Sequence, residues 1–168
     1  MRMLRILAVV CGGLMGAGEA RAQIGVAGQL GWGDDSDIGL GARGVYDLSA
    51  GRMAIEAAAD FMLYFPGEAG CAGCDFSWWE LNANLLFPLR VSEGLGLYAG
   101  GGLNMAFIDI ELPGDVGSGG STDTGLNLLA GMRLPRQSFT PYLELRTVAG
   151  GASQFVITVG VGVGGAWR

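Results

Sequence analysis

Cys71 and Cys74 stand in the run Cys-Ala-Gly-Cys, and they are the only thiols after Cys11. Two thiols at this spacing suit a metal site, a redox couple or a local disulfide. Zinc or iron needs two further soft ligands, and the chain has no histidine to supply them. Redox exchange of the thioredoxin kind needs a βαβ setting that the surrounding pattern lacks. A disulfide stiffening a surface loop in an oxidising compartment is the favoured reading. Gly39-Leu40-Gly41-Ala42-Arg43-Gly44 fits G-x-G-x-x-G. No helical pattern follows it, so the match to a phosphate-binding turn is accidental. The larger reactive set is charged: Arg43, Glu56, Asp60, Glu80, Arg133, Glu144 and Arg146, with Asp47 within reach. Mixed signs on one face predict an ion-pair network. Paired carboxylates such as Glu56 and Glu80 would do acid–base chemistry only beside a cleft with substrate groups, and histidine, the commonest general base, is absent. No catalytic residue, cofactor or resident metal is assigned.

The composition says what must position these groups. Ten basic residues, all arginine, and sixteen acids leave a formal net charge of −6. That excludes a nucleic-acid partner, because phosphate binding demands a basic face. Hydrophobic residues make up 50% of the 168-residue chain, charged residues 15%, and the mean hydropathy is +0.39. Intrinsic disorder is excluded on those figures. The 32 glycines show no three-residue period, which excludes collagen. No apolar run reaches the ~20 residues of a membrane-spanning helix. An apolar, glycine-rich, charge-poor chain without such a helix fits a transmembrane β-barrel.

Residues 1–22 read as a secretory signal peptide. Arg2 and Arg5 give its positive start, residues 4–15 its apolar stretch, and Ala20-Arg21-Ala22 its cleavage site, with Gln23 as the mature N-terminus. From residue 23 to 168 the apolar period is two. Eight alternating segments are expected at 24–32, 37–48, 52–65, 77–89, 95–110, 123–134, 139–148 and 154–167. One face of each is apolar, and the other carries small residues, asparagines and the charges named above. Aromatics on the apolar face fall in two sets: Trp32, Phe65, Trp79, Phe107 and Phe155 near one end, and Tyr46, Phe87, Phe139 and Trp167 near the other. Two girdles suit a bilayer with two interfaces. With the N-terminus on the periplasmic side, the periplasmic connections 49–51, 91–94 and 135–138 are short. The longest connections, 66–76 and 112–122, are then external, as such barrels require. A soluble lipocalin-like barrel would turn the apolar face inward. The uncharged, small-residue character of the other face argues against exposing it to water.

On these residues the chain resembles the small outer-membrane β-barrel proteins of the OmpA-transmembrane-domain and OmpX type. The resemblance covers the mature chain and is architectural. It implies an eight-stranded antiparallel up-and-down transmembrane barrel in the outer membrane of a Gram-negative-type bacterium. Recognition by the barrel-insertion machinery is implied too, through the alternation from Phe155 to Val163 and the penultimate Trp167. The expected role is structural or adhesive, with a polar plugged interior and no enzymatic activity. A narrow channel for small or hydrophobic solutes is the first alternative, and a secreted ligand-binding barrel the second. Expected partners are outer-membrane lipid and lipopolysaccharide. Divalent cations are a further candidate, recruited by the acidic external residues Asp34, Asp35, Asp37, Glu68, Asp75, Glu111, Asp115 and Asp123.

Overall fold

Period-two alternation with turn residues between segments builds eight strands. They are β1 (Ile24–Gly33), β2 (Asp37–Asp47), β3 (Glu56–Phe65), β4 (Asp75–Ser92), β5 (Leu95–Glu111), β6 (Ser118–Arg133), β7 (Thr140–Gly150) and β8 (Gln154–Gly164). The structure is a computed structural model that describes residues 23–49, 54–67, 75–92, 94–112 and 118–167. Cys71, Cys74, Ala22 and the expected signal segment lie outside the described residues. Each strand pairs antiparallel with its sequence neighbours, and β1 pairs with β8 from Gly25↔Gly164 to Gly33↔Val156. The fold is a closed, all-β, eight-stranded up-and-down barrel.

Four element boundaries differ from the periodicity by three residues or more, among them the end of β8, at Gly164 rather than at residue 167. β3 begins at Glu56 rather than at residue 52, and the Leu48 N–H donates to the Ile55 carbonyl to close the β2–β3 connection. β4 runs on to Ser92, leaving a shorter connection to β5. β6 begins at Ser118 rather than at residue 123, and the ladder from Phe107↔Thr122 to Glu111↔Ser118 extends the β5–β6 hairpin into a run read from sequence as loop. Serine, glycine and threonine there carry no apolar alternation, so the pattern held no strand signal. Because β6 meets β7 only from Gly125↔Gly150 onward, this hairpin projects beyond its neighbour at the external end.

Inside the barrel, large and small residues alternate across strand pairs. Tyr64 lies opposite Gly39, Met62 opposite Gly41, Leu86 opposite Gly100, Tyr98 opposite Gly131 and Tyr142 opposite Gly160. A β-carbon on any of these glycines would run into the side chain it faces. Much of the glycine content is therefore a matter of lumen space. The interior also holds Val45, Leu86, Leu129, Val148 and Val156. Sequence reading missed Leu86 and Leu129 because each follows an outward leucine, which hides the alternation.

The outer wall is apolar. Leu103, Leu126 and Leu128 are 63%, 63% and 68% exposed, while the lumen arginines and carboxylates are buried. Trp32, Phe65, Phe155, Tyr46, Phe87 and Phe139 are exposed on this wall. Trp79 and Phe107 are half-buried because their rings stack on each other, centroids 3.8 Å apart and planes 7° from parallel.

Trp167 is a correction. It does not belong to the outer girdle: β8 ends at Gly164, and a 3₁₀ turn over Gly165–Trp167 carries the indole into the lumen, where it is 2% exposed. Gly164 makes the inward bend with φ +110°, a backbone setting that other residues adopt only with strain. The Trp167 carbonyl then accepts the Thr140 hydroxyl at 2.7 Å, and its ring stacks on Tyr142 at 5.0 Å.

The sidedness of the wall generates a test. Leu128→Arg places a guanidinium in the middle of the apolar belt, and its cost in lipid vesicles is expected to be about 2–4 kcal/mol of unfolding free energy. A denaturant titration measures it. Unchanged stability would mean that this wall faces water.

Candidate functional site

Alternation sends one side chain in two into the lumen, and the charged residues occupy those inward positions on five strands. At the centre, Arg43 on β2 uses all three guanidinium nitrogens. Its Nε donates to Asp60 on β3, and its Nη1 and Nη2 each donate at 2.7 Å to Glu144 on β7, across the barrel. Glu144 also accepts the Tyr98 hydroxyl at 2.9 Å. Asp60 accepts Asn84 Nδ2 at 3.1 Å and the longer Gln29 Nε2 contact at 3.4 Å, while Gln29 in turn accepts the Tyr142 hydroxyl. The pair is therefore hydrogen-bonded on almost every side, the condition under which buried charge is tolerated.

Toward the periplasmic mouth, Arg133 on β6 holds Glu56 on β3 in a two-pronged pair of 2.9 and 2.7 Å. Its guanidinium lies between two rings, 4.6 Å from the Tyr98 centroid and 4.7 Å from that of Trp167. Toward the external end, Glu80 on β4 is surrounded mainly by neutral donors. Gln154 Nε2, Trp78 Nε1 at 3.2 Å and Asn104 Nδ2 at 3.1 Å all bond to it. Arg146 on β7 stands 3.8 Å from Glu80 and 4.0 Å from Asp60. Its Nε and Nη2 are buried without a hydrogen-bond partner, as are the free amide oxygens of Asn104 and Asn127. An amide cluster of Asn82, Asn84, Asn104 and Asn127 on β4, β5 and β6 completes this level, bonded at 2.9 Å from one to the next.

All seven charged residues singled out from the sequence thus line one lumen, and Asp47 does not join them. Its carboxylate caps the β2–β3 connection by accepting the Ser49 N–H at 2.8 Å. Three guanidiniums face four carboxylates in the lumen, so neutral amides and hydroxyls carry part of the compensation. Sequence reading did not single out these neutral members, Gln29, Gln154, Tyr98, Tyr142 and the asparagines, as a network. Their inward parity was the available signal.

Asp34, Asp35, Asp37, Asp75, Glu111 and Asp123 lie at or beside the external end, with no arginine at that rim among the described residues, and Glu68 and Asp115 lie outside the described residues. Asp34 accepts the Phe155 N–H, and Asp37 accepts the Gly67 N–H, both at 2.8 Å, so these carboxylates fasten turns. Among the described residues no three acidic, cysteine or histidine side chains converge to hold a metal ion. At the other end, Gln23 accepts the Tyr46 hydroxyl at 2.9 Å.

No protein-family model matches the chain, and no curated protein matches it. Solved structures do share its architecture. The N-terminal β-barrel domain of Pseudomonas aeruginosa OprF superposes with a TM-score of 0.66 at 16% identity, over 86% of this chain and 98% of that one. The fold is that of the small outer-membrane barrels. Ail, the attachment invasion locus protein of Yersinia pestis, gives 0.55 at 19% identity over 84% and 93% of the two chains. The outer membrane enzyme PagL gives 0.53 at 9% identity over 83% and 98%. Likeness at this identity is one of fold, and function rests on the side chains.

The central ion group sets the next expectation. Arg43→Met leaves Asp60 and Glu144 buried without their cation, and should lower unfolding stability by about 3–5 kcal/mol. Arg133→Met, beside the mouth, should cost less. Equal and small losses in a denaturant titration would contradict a network centred on Arg43.

Proposed function

We propose that this chain is an integral outer-membrane protein with a structural or adhesion-type envelope role, a filled interior and no enzymatic activity. In this reading residues 1–22 direct export and are cleaved after Ala22, and the barrel-insertion machinery places the mature chain. The two aromatic belts seat it at the bilayer interfaces. A Cys71–Cys74 disulfide stiffens the β3–β4 connection.

The observation that carries the reading is the direction of the charges. Arg43, Asp60 and Glu144 are bonded to one another across the lumen, and the wall outside is predominantly apolar. Side chains locked together in so narrow a barrel act as struts. The four lumen carboxylates accept hydrogen bonds from buried donors, and the chain has no histidine, so no acid–base pair is presented to a substrate. PagL demonstrates that the fold can host an enzyme. What separates this barrel from an enzyme of the same fold is its side chains.

Contacts with other molecules then fall to the wall and the external loops. Ail has been crystallised with the heparin analogue sucrose octasulfate. A polyanion of that kind meets no arginine at the external end of this chain, and a cationic partner suits the acids better. Outer-membrane lipid meets the apolar wall, and divalent ions between the acidic loops and lipopolysaccharide are part of the same reading.

A second reading, slow conduction of small ions, is favoured by Arg146. Its unpartnered nitrogens and the unpartnered amides near Glu80 leave polar groups that water would satisfy. Two measurements separate the readings. In the outer-membrane fraction, unboiled protein should migrate differently from boiled protein on SDS gels, and a soluble periplasmic protein without that shift would sink the membrane assignment. In planar bilayers the purified barrel should give no resolved conductance steps. Reproducible steps that change in Arg146→Ala would replace the filled interior with the conducting one.

A further inference from the structure

Seven of the eight strand pairings join strands consecutive in sequence, and only β1–β8 joins the two ends of the sheet. Bringing distant segments together costs more chain entropy than closing a hairpin, so this seam is the last pairing to form. It is fastened at both ends by groups outside its own ladder. Externally, the Asp34 N–H donates to the Phe155 carbonyl at 3.1 Å, and Ser36 donates to Gln154 at 2.7 Å. At the periplasmic end the fastening is the Trp167 side chain.

The seat of that indole is made from both sides of the seam. A β-carbon on Gly25 of β1 or on Gly162 of β8 would occupy the space of the ring, so the slot depends on two glycines brought together by closure. Tyr142 on β7 stacks on the ring, and Arg133 on β6 lies over it. The slot therefore does not exist in a sheet that is still open. We infer that Trp167 is a closure latch: it docks after β1 and β8 have paired, and once docked it holds the periplasmic half of the seam shut. The Thr140–Trp167 hydrogen bond at 2.7 Å fixes the turn that delivers it. Removing the indole leaves the Arg43–Asp60–Glu144 group and every strand ladder with their partners. Loosening is therefore confined to one seam and does not spread through the barrel.

Hydrogen exchange on the full-length folded protein in lipid nanodiscs, read by mass spectrometry, distinguishes a latch from ordinary packing. In Trp167→Ala the amides of residues 25–30 and 159–164 should exchange at least about ten-fold faster, while residues 81–87 and 99–105 of β4 and β5 keep their protection. Gly162→Ala expels the indole without deleting it and should reproduce the pattern. Trp167→Phe, with a smaller ring in the same slot, should retain part of the seam's protection. Unchanged seam exchange in Trp167→Ala, or faster exchange spread evenly over all strands, overturns the latch. If Trp167→Ala does not fold, the same two outcomes in Gly162→Ala and Trp167→Phe decide it.

Discussion

A sheet of eight strands closed on itself encloses a space hardly wider than the side chains that point into it, and in hydrocarbon it has no open edge to spare. Most other features of this protein follow from that limit. Each large inward residue needs a small one beside it, which accounts for the pairing of Tyr64, Tyr98 and Tyr142 with glycines across the ladder. Each inward charge needs a partner inside the same narrow tube. The outward positions are free of both demands and carry leucine, valine and aromatic rings instead.

Arg43 answers the charge problem most completely. A planar guanidinium fits two carboxylates on opposite walls at once, through Nε and through the paired Nη groups. β2 and β3 are thereby tied to β7 across the lumen, a connection that no ladder hydrogen bond makes. Glu80 answers it differently, with an indole, two amides and a more distant guanidinium. The lumen is thus well bonded in its middle and looser near Arg146, where polar atoms stand without protein partners. A filled interior and a slow conductor differ only in how firmly that looser level is held.

The closed barrel was legible in the sequence because alternation and parity are local. Arg43, Glu56, Asp60, Glu80, Arg133, Glu144 and Arg146 share one face by counting in twos. Which of them meet was not legible. The Arg43–Glu144 pair depends on the tilt of the strands and the shear of the closed sheet, and no spacing encodes that. The start of β6 at Ser118 was hidden because serine and glycine have no apolar side to alternate. Trp167 misled for a definite reason: alternation along β8 extrapolates it outward, but Gly164 ends the strand and turns the chain before the indole is reached. Gly25 and Gly162, the empty places that receive it, carry a signal only once β1 and β8 are known to be neighbours.

In a membrane barrel the apolar wall touches lipid and the lumen side chains do not. Quenching of tryptophan fluorescence by brominated acyl chains measures this directly, in variants that each keep one of the chain's four tryptophans. Trp32 and Trp79, on the outer wall, should be quenched strongly, and Trp167 should be quenched weakly in the folded barrel. Strong quenching of Trp167 with weak quenching of Trp32 would contradict the account, because the apolar wall would then not be the surface that meets the membrane.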